Sequence, residues 1–257
     1  MPEAGSPPSF SPAASHAATV TRSSIWQPGL AVAVASAIGW LLLCAWVAPH
    51  VPLNPVGAYA WAFASVSAAS LAVAYHTPPT SSVRSLGLSV LAAAACLTWL
   101  HLSGAGGLWG AAGVMGGLLL LGVAVGTFVG ARVERPGHLL FVALVSSLAD
   151  IVSVYHPQGV SHAIIESETA LSLLALSFPM LGTDAIEPLL GVGDLVFVAL
   201  YLTASRVHQL SLRRTLAALS LGLAVTAASV VVLEMALPAL PFLGLSILIA
   251  LPAARGA

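Results

Sequence analysis

The sequence predicts an all-α, polytopic membrane protein with about eight transmembrane helices. Of its 257 residues, 58% are hydrophobic and only 7% are charged, whereas about a quarter of the residues in a soluble domain are charged. The apolar residues form runs of about 20, which is the length that crosses a bilayer. Composition therefore excludes an ordinary soluble domain, and the net charge of −1 argues against nucleic acid as a partner.

Residues 1–27 differ from the rest of the chain because they are rich in proline, serine and alanine. A segment of this composition cannot bury a core, so we predict a disordered tail. It lacks the charged start of a secretory signal, and the apolar run after it is long enough to remain in the membrane as an anchor.

Eight apolar runs are predicted to be the transmembrane helices. They are 29–48, 55–76, 85–103, 108–131, 137–156, 188–206, 211–233 and 237–254. The first four form a predicted scaffold over 28–136, and the last four belong to a candidate catalytic region over 137–257. The run at 170–181 is too short to cross and contains Pro179, so we predict an interfacial or re-entrant piece.

The arginines predict the orientation of these spans. With eight spans, all eight basic residues fall on one side of the membrane, and the positive-inside rule makes that side, with both chain ends, cytoplasmic. The charged residues of the loop between the fifth and sixth spans are all acidic, so this loop is predicted to face outward. All eight basic residues are arginine and alanine is abundant, which favours a bacterial protein, so we expect the inner membrane.

Two aspartates lie inside these apolar runs, Asp150 in the fifth span and Asp194 in the sixth. A carboxylate within a bilayer costs roughly 2.5–3.5 kcal/mol, so it indicates a functional site. Each aspartate is about six residues, or roughly 9 Å, from the outer end of its span. We therefore predict that the two carboxyls meet at one depth, although they are 44 residues apart.

Two backbone elements accompany the aspartates. Gly191 and Gly193 precede Asp194 and allow the backbone to approach the aspartate and a substrate closely. At the same predicted outer face, residues 236–241 (Ala-Leu-Pro-Ala-Leu-Pro) open the last span. Pro238 and Pro241 leave carbonyl groups there without helical partners.

Paired carboxyls have a recognisable chemistry. Two close carboxyls in a low-dielectric site do not ionise together, so they share a proton. The ionised carboxylate can take a proton from water while the protonated one polarises a carbonyl. We therefore expect no metal and no cofactor.

These residues resemble the presenilin and signal peptide peptidase family of GxGD intramembrane aspartyl proteases. The resemblance covers roughly residues 140–250, and its motifs appear in order: Asp150-Ile-Val-Ser-Val-Tyr155, Gly191-Val-Gly-Asp194 and Pro238-Ala-Leu240. It implies that Asp150 and Asp194 are the catalytic pair, with a transmembrane peptide or single-span protein as substrate. Gly191, Gly193, Pro238, Ala239 and Leu240 are then the candidate substrate-binding residues.

The chain departs from the family in two ways. Ala149 stands where the family usually has tyrosine before the first aspartate, which removes a hydroxyl near the pair. The family typically has nine spans, and eight are predicted here. A missing N-terminal span agrees with the outward-facing catalytic loop, which resembles the signal peptide peptidase orientation rather than that of presenilin.

Other functions remain open at this point. A prepilin-peptidase-type GxGD enzyme usually has lysine shortly after the aspartate, but Leu195 and Val196 follow Asp194, and that group lacks the Pro-Ala-Leu element. A transporter or proton pathway would use the aspartates as relays. A catalytically impaired homologue that binds membrane partners is the third alternative, and the sequence leaves the oligomeric state open.

Three further features carry predictions. Gly122, Gly126 and Gly130 form a small-residue stripe that indicates close packing between helices. Glu234, at the outer end of the seventh span, is expected to reach water. Because a spanning helix hides its own carbonyls, a substrate must unwind, and we predict that residues 182–193 or the Pro238 segment offer backbone groups to which it adds as a strand.

Overall fold

The computed structural model describes residues 28–79, 83–102, 107–235 and 237–250. The predicted disordered tail at 1–27 lies outside the described residues. So do Ala236, at the start of the Ala-Leu-Pro-Ala-Leu-Pro segment, and the last residues of the predicted eighth span.

The described part of the chain is almost entirely helical, as predicted, with one short hairpin. Its elements in order are α1 Pro28–Val47, a 3-10 turn Ala48–His50, α2 Pro55–His76, α3 Val83–Leu102, α4 Gly107–Gly130, α5 His138–Tyr155, α6 Val160–Glu166, α7 Glu168–Leu174, β1 Ala175–Pro179, β2 Ile186–Gly191, α8 Val192–Val207, α9 Leu212–Leu233 and α10 Leu240–Ala250.

Among the described residues, five helices are long and apolar enough to cross a membrane: Gly29–His50, α2, α4, α5 and α9. They indicate an integral, multi-pass membrane protein. Helix α8 has 16 residues and the described part of α10 has 11, which is shorter than the roughly 20 residues of a full span. The count of eight spans and the direction of the bundle therefore stay predictions.

The predicted sixth span, 188–206, is corrected at its start. Residues 186–191 form strand β2, which pairs antiparallel with β1, and α8 begins only at Val192. Pro188 favours this extended backbone because proline in a helix interior would remove a backbone hydrogen bond. Asp194 consequently lies in the first turn of α8 rather than six residues inside a helix.

Two other predicted segments also change. The run at 170–181 divides between the end of α7 and strand β1. The predicted eighth span began at residue 237, whereas α10 begins at Leu240, because Pro238 precedes it and the backbone there is not helical. The prolines are visible in the sequence, but the pairing of β1 with β2 is a tertiary feature.

Helix α8 is the centre of the bundle and packs closely on α4. A Cβ added at Gly126 would lie 2.3 Å from the Val196 carbonyl oxygen, and one at Gly130 would lie 2.6 Å from that of Leu200. No side chain fits between these backbones, so the predicted packing role of the Gly122, Gly126 and Gly130 stripe is confirmed.

Helix α2 is hydrogen-bonded to the last turn of α8, at the opposite end of that helix from Asp194. The Arg206 guanidinium donates hydrogen bonds to the carbonyl oxygens of Thr77, at 2.6 Å, and of Tyr75. At the other end of α2, the Asn54 side chain accepts from the Gly57 N–H at 2.7 Å and caps the helix. These contacts hold α2 beside α8 along the wall of the cavity described next.

Helix α5, which carries Asp150, lies at the periphery. It packs on α10 and α6, and only Leu139 and Ala143 on this helix are buried. Phe141 and Leu148 are among its exposed apolar side chains. An exposed apolar face of this kind suits contact with lipid acyl chains.

Candidate functional site

A cavity of about 850 Å³ lies at the end of the bundle where the hairpin is found. Its walls come from α2, α5, α6, α7, both strands, α8, α9 and the segment that leads into α10. All seven candidate site residues predicted from the sequence line it: Asp150, Gly191, Gly193, Asp194, Pro238, Ala239 and Leu240. The fold thus brings together three motifs that are separate in the sequence.

Asp150 is tied to the Pro-Ala-Leu segment by its side chain. The Leu240 backbone N–H donates to Asp150 Oδ2 at 3.2 Å. This N–H is in the first turn of α10, where no helical carbonyl is available as a partner, so the carboxylate satisfies it. The carboxylate remains half-buried and accessible from the cavity.

The backbone of Leu240 has a second contact with α5, through its carbonyl group. The Ser147 hydroxyl lies 3.1 Å from the Leu240 carbonyl oxygen and 2.6 Å from that of Ala143. Gly244 permits this close approach, since a Cβ there would lie 2.6 Å from Ser147 Oγ. Ser147 is one turn before Asp150, so helix α5 holds Leu240 through both its N–H and its carbonyl.

Asp194 lines the same cavity from helix α8. It is the only acidic residue in the first turn of α8, where the helix dipole stabilises a negative charge. A Cβ on Gly191 would lie 3.3 Å from Asp194 Oδ2, which is tighter than ordinary van der Waals contact.

The remaining candidate residues line other parts of the same cavity. A Cβ on Gly193 would meet nothing within 4 Å, so this position opens to the cavity. Ala239 is buried, with 5% of its surface exposed, and its carbonyl accepts from the Phe242 N–H at 3.1 Å. The Pro238–Leu240 segment therefore forms a fixed backbone wall beside Asp150.

Apolar side chains form most of the other walls. Tyr59 and Phe63 of α2, Ile164 of α6, Leu171 of α7 and Val230 of α9 are examples. Strand β2 contributes residues 188–191, so a strand of extended backbone runs along the cavity to Asp194. The cavity suits an apolar segment presented to two carboxyl groups.

Ala149, where the family has tyrosine, is exposed on α5 and is not among the described residues that line the cavity. The Tyr201 side chain on α8, which sequence reasoning did not select, is almost fully buried.

Sequence reasoning also missed a third carboxylate in the cavity. Glu234 lines it and terminates α9 in the left-handed region, with φ of 53° and ψ of 34°. The sequence signal was a glutamate at the end of an apolar run, four residues before Pro238. That signal predicted exposure to water, and Glu234 is indeed exposed, but it did not predict a position in the cavity wall.

Within the described ranges, no three histidine, cysteine, aspartate or glutamate side chains are grouped as metal ligands are. Comparison with known proteins gave no match, whether against protein-family models, curated proteins or solved structures.

Proposed function

We propose that the protein is an intramembrane aspartyl endopeptidase of the presenilin and signal peptide peptidase type, hydrolysing peptide bonds in transmembrane segments at the bacterial inner membrane. One observation carries the proposal. Asp150 and Asp194 enter one mostly apolar cavity from two different helices, and the Pro238–Leu240 segment donates to the first of them. Two carboxyls facing one cavity are the arrangement that acid–base hydrolysis by a shared proton requires.

In the proposed reaction, a water molecule lies between the two carboxyls. The ionised carboxylate takes a proton from the water, and the water oxygen attacks the scissile carbonyl carbon. The protonated carboxyl gives its proton to the carbonyl oxygen. The tetrahedral intermediate collapses when the C–N bond breaks and a carboxyl gives its proton to the leaving nitrogen. The Leu240 N–H donates a hydrogen bond to Asp150 and orients its carboxylate, so we assign Asp150 the role of base.

The substrate must present an extended backbone to this pair. Strand β2 pairs with β1 on one side, and no third strand adjoins the sheet in the described residues. The other edge of β2 ends three residues before Asp194, so we propose that an unwound substrate adds to it, as the sequence suggested for residues 182–193. Main-chain hydrogen bonds would then supply affinity, and the scissile bond would lie beside the carboxyls.

The proposal is tested by purifying the protein, reconstituting it in lipid and assaying a panel of single-span substrates by mass spectrometry. Asp150→Asn and Asp194→Asn are expected to lose cleavage by at least about 1,000-fold, because residues that act as a unit fail together. Asp184→Asn is the matched control, since Asp184 is an exposed aspartate outside the cavity lining. It should cleave like the wild type.

The other outcomes separate the alternatives. No cleavage by folded wild type on a broad panel would overturn the protease and favour the impaired homologue. Flux of protons driven by a pH gradient, lost in both aspartate variants, would favour the ion pathway. Cleavage that survives both substitutions would mean that the two aspartates are not the catalytic pair.

A further inference from the structure

Glu234 is a charged group in the cavity that the proposed hydrolysis does not use. Its carboxylate lines the same cavity as Asp150 and Asp194. Glu234 is exposed, and among the described residues no hydrogen bond or ion pair engages its side chain. A carboxylate at a cavity wall without a protein partner is available to a ligand.

The charged residues that line the cavity are all acidic. Its charged lining residues are Asp150, Asp194 and Glu234, and none of the lining residues is arginine, lysine or histidine. The sequence has no arginine or lysine over 136–205 or over 215–250, which are the stretches that contribute nearly all of the walls. A mostly apolar, low-dielectric cavity strengthens the attraction between its carboxylates and a cation.

The backbone at Glu234 has a conformation that is uncommon for glutamate. Left-handed backbone at the end of a helix usually belongs to glycine or asparagine, and the other non-glycine residue with positive φ among those described is Gln209. Glu234 ends α9 there, six residues before Leu240, whose N–H donates to Asp150. Glu234 and the Pro238–Leu240 segment line the same cavity.

We propose that Glu234 is a specificity-determining residue that binds a lysine or arginine flanking the apolar segment of the substrate at this end of the bundle. The inference rests on the proposed function and names its substrate class. The favoured substrate is a single-span segment that continues past the cavity with a basic residue. A segment that ends there in a free carboxylate, as a released signal peptide does, is repelled by the same group.

The test uses the full-length protein in lipid and three peptides that differ at one flanking position, carrying Lys, Gln or Glu beyond the apolar segment. The wild type should favour Lys over Glu by about tenfold in kcat/KM, since opposite and like charges each contribute at the scale of a partly exposed pair. The change should fall in KM rather than kcat, because the contact is equal in the ground and transition states.

Three variants isolate the charge. Glu234→Gln should abolish the preference, and Glu234→Lys should reverse it. Glu234→Gly removes the carboxylate but suits the left-handed backbone, so loss of preference there too separates charge from local unfolding. Glu187→Gln is the matched control, because Glu187 is exposed on β2 but does not line the cavity, and it should keep the wild-type preference.

The outcomes distinguish this inference from the proposed function. Cleavage of all three peptides at equal rates, still dependent on both aspartates, would overturn the role of Glu234 and leave the protease standing. A preference that persists in Glu234→Gln and Glu234→Gly would likewise overturn it. If no peptide is cleaved by the wild type, both the protease and the substrate class assigned to it fail.

Discussion

The two helices that carry the aspartates differ in almost every physical respect. Helix α8 is buried in the middle of the bundle against α4, α2 and α9, whereas α5 lies at the edge and packs on α10 and α6. Asp194 is in the first turn of its helix, and Asp150 is in the second half of α5. Asp194 is therefore positioned by the core of the protein, and Asp150 by the contacts of α5 with α10.

The difference teaches how the site is assembled. The backbones of α4 and α8 touch at Gly126 and Gly130, so the position of Asp194 is set by packing in the core. Asp150 lies on a helix that packs mainly on α10, and polar contacts join Asp150 and Ser147 to Leu240. We therefore infer that the Pro-Ala-Leu segment positions Asp150 relative to Asp194.

The largest expected effect is on stability and concerns the packing of α8, which carries Asp194, against α4. Gly126→Leu places a side chain where even a Cβ would be 2.3 Å from the Val196 carbonyl oxygen, so we expect a loss of more than about 3 kcal/mol in unfolding free energy. Unfolding monitored by circular dichroism in detergent measures this. Gly39→Leu on α1, where a Cβ meets nothing within 4 Å, should cost less than about 0.5 kcal/mol. Equal effects would contradict the central position of α8.

A smaller loss of stability, with a large loss of activity, is expected where α10 packs against α5. Gly244→Leu forces α10 away from α5, because a Cβ at Gly244 would lie 2.6 Å from Ser147 Oγ. We expect about 1–3 kcal/mol of destabilisation and about a 100-fold loss of cleavage, since displacing a catalytic group by about 1 Å has that effect. Gly137→Ala, before α5 and in open space, is the control. A fall in activity only in proportion to stability would argue against positioning.

The smallest effect is expected from one hydroxyl. Ser147→Ala removes the contact to the Leu240 carbonyl and should cost about 1 kcal/mol in unfolding free energy. We expect about a tenfold loss in kcat with KM unchanged, measured on a cleaved single-span peptide, because Asp150 is less well oriented. Leu148→Ala, an exposed neighbour on the same helix, should leave both constants near the wild type. A change in KM alone would place Ser147 in binding instead.

The sequence predicted most of the long helices and the residues that line the cavity, but not the strand pairing beside it. Long apolar runs are read by length and composition alone, so α2, α4, α5 and α9 fall within two residues of the predicted spans. The strand at 186–191 was missed because its apolar residues continue into α8, and only pairing with β1 distinguishes the two. Local pattern cannot reveal that partner.

The candidate site divides in the same way. Asp150, Asp194 and the Pro-Ala-Leu segment were found because charges and prolines are conspicuous in apolar runs. The hydrogen bond from Leu240 to Asp150 joins residues 90 positions apart, and the cavity position of Glu234 depends on a left-handed turn at the end of α9. Both depend on how helices meet, which the sequence pattern does not contain.

The most direct test of a single site built from both aspartates is binding of a transition-state mimic. A photoreactive peptide with a hydroxyl in place of the scissile carbonyl resembles the tetrahedral intermediate and should bind at least about 100-fold tighter than substrate. We predict that it labels the wild type and Asp184→Asn equally, and that labelling is lost in both Asp150→Asn and Asp194→Asn. Labelling that survives either substitution would contradict a shared catalytic pair.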